Sequence, residues 1–285
     1  MSTIIGLGNA GCNIANKFEV YPQYNVIYFN TEDRNESNFH LIEPQEKAED
    51  YEKNFPSIKK IIKKTSGPYT LIIGGSGQIS AASLSLLQQL NSKDINILYV
   101  KPDLDLLSEI AYKRERIVFH VLQQYCRSDL LNKMFIVSNS KCENMLQDLT
   151  INNYFDKIND LIASTYHMWN VFQNIDPVIK TQSDPQLACK IATFGLVGEN
   201  GQESLLYDLS FPREKCLYYS ISKENLESDN SLIKDIKKQV RSLLTDKLKV
   251  SYAVYENDYD QNYIYSCTFA SMIQEENYDF PLDDQ

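Results

Sequence analysis

The segment Gly6–Asn13, which reads G-L-G-N-A-G-C-N, is the most informative part of the sequence. It follows a β-rich run, Thr3–Ile5, and precedes a helical pattern over about residues 11–18. Glycines let the backbone turn tightly and approach a phosphate, and a helix amino terminus presents free N–H groups. Alone, this pattern is most typical of a dinucleotide-binding (Rossmann) unit, and Glu32 follows the second strand as that unit requires. A turn that needs glycine only for packing is the alternative.

A second glycine loop, Gly74–Gln78 (G-G-S-G-Q), also follows a strand and precedes a helix. A dinucleotide site uses one such loop for its pyrophosphate. Two loops on two strands of one sheet instead suit a polyphosphate that backbone amides bind from two sides.

The first half of the chain alternates β-rich runs with helical patterns, which predicts an α/β fold with a parallel sheet. The predicted strands are Thr3–Ile5, Asn25–Phe29, Tyr69–Ile73, Ile95–Val100 and Met134–Val137. The predicted helices are about residues 11–18, 47–64 with a break at Pro56, 81–90 and 106–125. We assign residues 1–150 to this nucleotide-binding domain.

A long helix is predicted over about residues 151–172, and it is apolar on more than one face, as a helix buried between two layers should be. Residues 151–176 therefore form a central helix with the loop that follows it. Residues 177–273 predict a smaller α+β domain, with a β-hairpin whose strands flank Glu256–Asn262. Residues 274–285 are acidic with little to bury, which predicts a flexible tail.

Bulk composition excludes several functions. The net charge of −10 argues against direct nucleic-acid binding, and no apolar run approaches the length of a membrane span. With no signal peptide evident, we expect a cytoplasmic protein. The six cysteines are scattered, which predicts buried, reduced thiols rather than disulfides or zinc ligands.

Taken together, these motifs resemble the tubulin/FtsZ superfamily of GTPases. Gly6–Asn13 resembles the family's first nucleotide loop, Asn30–Glu32 its Asn-Thr-Asp, and Gly74–Gln78 its glycine-rich signature loop. Lys101-Pro102 is similar to the start of the FtsZ ribose loop, and Asn139 stands where the family directs an Asn toward the nucleoside. The order of these matches along residues 1–176 makes the resemblance specific.

Further along the chain, Phe155 and Asn159 lie four residues apart, on one face of the long helix. The resemblance implies that Phe155 stacks on guanine and Asn159 hydrogen-bonds its edge. It also implies that Asn174 and Asp176 reach the nucleotide of the next subunit and help to hydrolyse it.

The resemblance thus implies a tubulin/FtsZ-like fold that binds GTP or GDP with Mg²⁺ and has no dedicated protein metal site. The implied nucleotide-binding residues are Gly8, Asn9, Ala10, Gly11, Cys12, Asn13, Asn30, Thr31, Gly74, Gly75, Ser76, Gly77, Gln78, Pro102, Asp105, Asn139, Phe155 and Asn159. The implied catalytic residues are Asp176 and Asn174. The implied partner is the chain itself, as a head-to-tail homopolymer of the phage, plasmid or bacterial type, with an adaptor or cargo at the tail.

Several positions depart from the family pattern. No glycine occurs between Glu32 and Gly67, where the family has its third phosphate loop, and Ile73 and Ile79 replace glycines around the signature loop. The family's second catalytic acid is replaced by Ile179. The expected ribose-contacting Glu is replaced by Leu106, with Asp105 as the nearest substitute.

Two alternatives to a GTP-hydrolysing filament therefore stay open. One is a homologue with little hydrolysis, with or without bound GTP, that acts as a static filament or as a modulator of a host FtsZ. The other is a Rossmann-type NAD- or FAD-dependent enzyme that uses the first glycine loop alone.

Overall fold

The computed structural model describes residues 2–33, 38–65, 67–92, 94–182, 184–198 and 201–275. The strands are β1 (Ser2–Leu7), β2 (Tyr24–Asn30), β3 (Phe39–Leu41), β4 (Tyr69–Gly74), β5 (Ile95–Lys101), β6 (Lys133–Ser138), β7 (Ile179–Lys180), β8 (Ile191–Val197), β9 (Glu203–Leu205), β10 (Glu214–Ser222), β11 (Lys249–Asn257) and β12 (Tyr263–Ala270). The helices are α1 (Gly8–Asn16), α2 (Ala48–Lys53), α3 (Lys59–Ile62), α4 (Ser83–Leu90), α5 (Glu109–Arg127), α6 (Asn139–Met145), α7 (Tyr154–Asn174), α8 (Lys223–Ser228) and α9 (Leu232–Leu243). Short 3₁₀ helices cover Gln78–Ala82 and Leu104–Leu106.

The amino-terminal part of the sheet is parallel, with strand order β3-β2-β1-β4-β5-β6. Its central strands are nearly continuous buried runs, as expected for strands covered on both faces. Strand order reverses direction at β1, since β2 lies on one side of it and β4 on the other. Ligands of open α/β sheets bind at such a switch point, outside the carboxyl ends of the strands.

Helices cover both faces of this sheet. One apolar core joins α1 and α7 to the sheet, and a second core joins α2, α4 and α5 to the opposite face. The contact of α1 with β4 requires Gly11, because a Cβ at this position would lie 2.3 Å from the carbonyl oxygen of Ile72.

Helix α7 packs against the sheet and has different neighbours at its two ends. At its amino end, the Tyr154 hydroxyl donates to Glu143 Oε2 of α6 at 2.8 Å, beside the carboxyl end of β6. Near its other end, Asn170 Nδ2 donates to the Tyr24 hydroxyl at 2.9 Å, where β2 begins. A helix of 21 residues is about 30 Å long, so its two ends reach separate parts of the fold.

The carboxyl-terminal strands continue the same sheet. β8 pairs in parallel with β6 through Met134–Ile191 and Phe135–Ala192, and the order continues β8-β12-β10-β11-β7, with β9 beside β8. The predicted hairpin of β11 with β12 is wrong, because β10 lies between them. All nine residues of β10 are buried, as expected for a strand with a neighbour on each side.

Other expectations are adjusted in detail. The helical pattern of residues 47–64 forms two short helices, α2 and α3, on either side of Pro56, and β3, β7, β9, α6 and α8 were not predicted. All six cysteines are free and buried, which confirms the predicted thiols. No helix in the described ranges is long and apolar enough to cross a membrane.

The start of the predicted tail is ordered. Gln274 is only 1% exposed; its backbone N–H donates to Gln123 Oε1 of α5 at 2.7 Å, and its Oε1 accepts from the Ser210 N–H at 2.6 Å. The flexible-tail expectation is therefore wrong for Gln274, because its amide group is fully used inside the fold. Residues 276–285 lie outside the described residues.

Candidate nucleotide-binding site

A cavity of about 400 Å³ opens at the switch point, where β1, β2 and β4 end. Its lining comprises Leu7, Gly8, Asn9, Ala10, Asn30, Thr31, Tyr51, Gly74, Ser76, Gly77, Gln78 and Ile79. Nine of these are among the nucleotide-binding residues predicted above. The volume is within the usual range for small-molecule sites.

The first glycine loop enters the cavity at the amino end of α1. Gly8 has a φ of +71°, a conformation that favours glycine, and a Cβ there would lie 2.7 Å from Ile79 Cγ2. The Asn9 side chain is tied to the neighbouring strand, because Asn30 Nδ2 donates to Asn9 Oδ1 at 2.6 Å. The Thr31 N–H in turn donates to Asn30 Oδ1 at 2.9 Å, which connects the loops after β1 and β2.

The carbonyl groups of the second glycine loop are close to hydrogen-bond donors of the protein. The Ser80 hydroxyl lies within hydrogen-bond distance of the carbonyl oxygens of Gly77 (2.5 Å) and Gly75 (2.9 Å), and Arg114 Nη1 donates to the Ser76 carbonyl at 2.7 Å. Hydrogen bonds among the described residues leave the amides of Ser76, Gly77 and Gln78 without an acceptor. Successive free amides of this kind bind anions.

A buried polar cluster packs against the second glycine loop at Gly75. The Lys101–Glu115 ion pair (3.1 Å) is almost completely buried, and Tyr99 Oη donates to Glu115 Oε1 at 3.0 Å. A Cβ on Gly75 would lie 1.7 Å from Tyr99 Oη, so only glycine fits there. Gly75 is therefore required for packing and does not line the cavity.

Sequence reasoning missed Leu7 and Tyr51 as lining residues and did not assign Ile79 to the site. Tyr51 comes from α2 and is buried; no local motif marks it, because its position depends on how α2 packs. Ile79 lies between the two glycine loops, near Gly8 and 3.9 Å from a Cβ built on Gly77. The Ile79 side chain makes the cavity narrower than it would be with glycine at position 79.

The other predicted nucleotide-binding residues do not line this cavity. They are Gly11, Cys12, Asn13, Gly75, Pro102, Asp105, Asn139, Phe155 and Asn159. The Cys12 thiol is buried and lies near the carbonyl oxygens of Gly6 (3.5 Å) and Phe29 (3.6 Å), so only the backbone of Cys12 is available to a ligand.

The residues predicted to contact the nucleoside lie along the same edge of the sheet. Pro102 and Asp105 follow β5, Asn139 begins α6 after β6, and Phe155 and Asn159 lie in the first turns of α7. Phe155 is 65% exposed, and its ring meets Tyr154 in an edge-on contact, so the residue is accessible for stacking. Burial and the nearby Glu143 carboxylate raise the pKa of Tyr154, its neighbour, to about 12, so this hydroxyl remains a hydrogen-bond donor.

Asn174 and Asp176 lie at the other end of α7. Asn174 Nδ2 donates to the Asn170 carbonyl at 2.7 Å, and Asp176 is exposed in the following loop. Asn170 contacts Tyr24 at the start of β2, whereas the cavity lies at the other end of that strand, so Asn174 and Asp176 do not line the cavity of their own chain. Ile179 forms the short strand β7 and pairs with Val254 of β11.

The electrostatics of the cavity come from backbone dipoles. Among the described residues, neither Lys nor Arg lines it, and no group of three His, Cys, Asp or Glu side chains is placed to hold a metal ion anywhere in that part of the chain. An anion here would be bound by the amino end of α1 and by loop amides.

Comparison of the whole fold with solved structures gives consistent neighbours. FtsZ from M. jannaschii, described as an empty dimer, matches with a TM-score of 0.67 at 10% identity, over 98% of this chain and 94% of that chain. CetZ2 from Haloferax volcanii, in a GTPγS-bound protofilament, matches with a TM-score of 0.67 at 13% identity, over 94% and 92%. TubZ from Bacillus thuringiensis serovar israelensis, in a GTPγS-form protofilament, gives 0.67 at 11% identity, over 96% and 87%.

The chain has a tubulin/FtsZ-like fold. At sequence level, neither a protein-family model nor a curated protein matches it. The first six strands of this tubulin-like chain share the strand order of a Rossmann sheet, and what distinguishes them is the continuation through α7 into β8-β12-β10-β11. Of the two glycine loops, the first, at the carboxyl end of β1, lies where a Rossmann sheet binds its pyrophosphate.

Proposed function

We propose that this chain binds GTP and assembles head-to-tail into filaments, with GTP hydrolysed where two subunits meet. One observation carries the proposal: two glycine loops face one cavity at the switch point, in a chain with the fold of protofilament-forming proteins. The second loop argues against a dinucleotide enzyme, whose pyrophosphate needs only the first.

The described residues fit a nucleoside triphosphate. The amides of Ser76, Gly77 and Gln78 and the amino end of α1 suit the phosphates, and Phe155 and Asn159 offer a stacking face and an amide for the purine edge. Magnesium would be held mainly by phosphate oxygens and water, as is usual for Mg²⁺ in nucleotide sites. When bound, it neutralises charge on the phosphates.

The position of Asn174 and Asp176 away from the cavity of their own chain supports head-to-tail assembly. A subunit stacked on another would bring Asn174 and Asp176 over the neighbour's cavity, and such a heterologous contact propagates without closing. In that position Asp176 would orient and help deprotonate the attacking water, with Asn174 beside it. The task would be the positioning or movement of cargo such as DNA, a division site or phage particles.

A second candidate is a filament, or a modulator of a host FtsZ, that turns over little GTP. Ile179 favours this candidate, because it stands where the family has its second catalytic acid. It lies in β7 and pairs with Val254 of β11. In this chain the position of the second carboxylate is therefore occupied by an apolar residue of the short strand β7.

Nucleotide content tests the proposal. Protein purified without added nucleotide would be heat-denatured, and the supernatant separated by chromatography, alongside competition of GTP, ATP and NAD for a fluorescent GTP analogue. We expect guanine nucleotide in the supernatant or competition by GTP well ahead of ATP and NAD. Release of NAD or flavin, or no binding of GTP at millimolar concentration, would contradict the proposal. Phosphate release then separates the two candidates.

A further inference from the structure

The cavity has no cation of its own among the described residues, yet one cation reaches its wall indirectly. Arg114, on α5, donates from Nη1 to the carbonyl of Ser76 at 2.7 Å. Ser76 and the next residue, Gly77, line the cavity, whereas the guanidinium lies on the other side of the loop.

The peptide bond between Ser76 and Gly77 turns this contact into a constraint on the cavity. It is trans, and in a trans peptide the C=O and the following N–H point in opposite directions. Helix α5 lies on one side of the loop, while Ala10 lies 3.4 Å from a Cβ built on Gly74 on the other side. With the Ser76 carbonyl held toward α5, the Gly77 N–H points away from α5, toward the first glycine loop.

We propose that Arg114 is a positioning residue for phosphate: by binding the Ser76 carbonyl, it aims the Gly77 amide into the cavity. This inference rests on the proposed function, since the anion would be the phosphate of the bound nucleotide. The guanidinium contributes without touching the ligand. The free energy of orienting the amide is supplied during folding, so the ligand finds the donor already placed.

The carbonyl groups of the two neighbouring glycines also lie within hydrogen-bond distance of a side chain. Ser80 lies within hydrogen-bond distance of the carbonyl oxygens of Gly75 and Gly77, so it acts on both sides of the Ser76–Gly77 peptide. Ser80 does not replace Arg114, because its described hydrogen bonds go to the Gly75 and Gly77 carbonyls and not to the Ser76 carbonyl. The Ser76 carbonyl depends on Arg114 alone among the described hydrogen bonds.

The chain offers a matched control for Arg114. Lys113 is the adjacent cation on α5 and forms an ion pair with Glu109 on the exposed surface, with no described contact to the loop. Lys113→Met removes the same charge from the adjacent position of α5. Arg114→Met also removes the hydrogen bond, and Arg114→Lys keeps the charge and one shortened donor.

The experiment measures dissociation constants of GTP and of guanosine for the wild type and the variants Arg114→Met, Arg114→Lys and Lys113→Met. We expect Arg114→Met to weaken GTP binding about tenfold, as for one lost phosphate hydrogen bond, and to leave guanosine binding unchanged. Arg114→Lys should recover part of the affinity, and Lys113→Met should stay within about twofold of the wild type. Equal losses in the two Met variants, or parallel losses for GTP and guanosine, would overturn the inference.

A second readout needs no nucleotide. In ¹H–¹⁵N spectra of the free protein, the Gly77 amide resonance should move in Arg114→Met and stay in place in Lys113→Met. If it does not move, the orientation claim is wrong even where GTP binds. If it moves while the wild type binds no GTP, the proposed function fails and the loop geometry stands.

Discussion

Gly8 couples backbone conformation to the shape of the cavity. Gly8→Ala places a side chain at a φ of +71° and 2.7 Å from Ile79 Cγ2. We expect a loss of about 1–2 kcal/mol from the left-handed backbone alone, more from the clash, and strongly weakened GTP binding. Urea unfolding, followed through the fluorescence of the single tryptophan, Trp169, measures the first effect, and nucleotide titration measures the second.

A double variant separates the two causes. In Gly8→Ala/Ile79→Ala the clash is relieved and the backbone strain remains, so part of the stability lost in Gly8→Ala should return. Because Ile79→Ala also creates a gap, Ile79→Ala alone is the reference for this comparison. An unfolding midpoint for Gly8→Ala equal to that of the wild type would refute the assigned conformation.

The Lys101–Glu115 pair makes a prediction about charge burial. Glu115→Leu leaves a cation in a site where both side chains are at most 2% exposed, which should cost about 3–5 kcal/mol. Lys101→Met/Glu115→Leu removes both charges and should recover most of that loss, as the same unfolding measurement would show. If the double variant were less stable than Glu115→Leu, the pair would not be the source of the effect.

At the residue scale, the sequence identified site residues that belong to glycine motifs. It missed site residues whose position depends on packing between distant elements. Gly8 and Gly77 were identified because a motif marks their backbone role. Tyr51 and Arg114 reach the site from α2 and α5, and no local pattern in the sequence records which loop a distant helix packs against.

Among the elements, β10 shows the limit of reading strands from a pattern. β11 and β12 are joined by five residues, and such spacing is typical of a hairpin. The spacing does not indicate whether a third strand lies between the two. In this sheet, β10 lies between them. By contrast, α7 was predicted to within three residues at each end, because its apolar positions repeat over many turns.

The junction of α7 with β2 predicts a dependence of stability on pH. His167 Nδ1 lies 3.0 Å from the Tyr24 hydroxyl, the ring stacks on Tyr21 with centroids 3.7 Å apart, and burial lowers the pKa of His167. The unfolded chain therefore binds a proton more readily, and the free energy of unfolding should fall as pH decreases below about 6.5.

The variant His167→Asn tests the origin of this dependence, since the amide does not titrate and can still face the Tyr24 hydroxyl. The fall in unfolding free energy between about pH 7 and 5.5 should become shallower in the variant. Burial also lowers the pKa of His40 and His120, so part of the slope remains. A wild-type stability that rises on acidification over this interval would contradict the assignment.

For the whole molecule, the separation of Asp176 from the cavity, at opposite ends of β2, predicts two separable properties. Asp176→Ala should bind GTP within about twofold of the wild type, because the exposed carboxylate does not line the cavity of its own chain. Its filaments should form and persist, because hydrolysis is lost. Electron microscopy with a time course of phosphate release measures both, and an Asp176→Ala protein that fails to bind GTP as a monomer would refute the separation.

The global architecture was accessible from the sequence because the order of several weak motifs carried it. Neighbouring structures share only 10–13% identity with the chain, yet the fold agrees over nearly its whole length. The continuous sheet through β6 and β8 was not accessible, since it depends on pairing between strands more than fifty residues apart. The roles assigned to Phe155, Asn159 and Asp176 remain predictions.

The central claim, GTP-dependent assembly, is tested most directly by 90° light scattering after addition of GTP and Mg²⁺ to the purified protein, with phosphate release recorded in the same cuvette. The account predicts scattering that rises with GTP and decays as phosphate accumulates. A rise without phosphate would support the static filament instead. No change in scattering over a wide range of protein concentration, with GTP demonstrably bound, would contradict assembly.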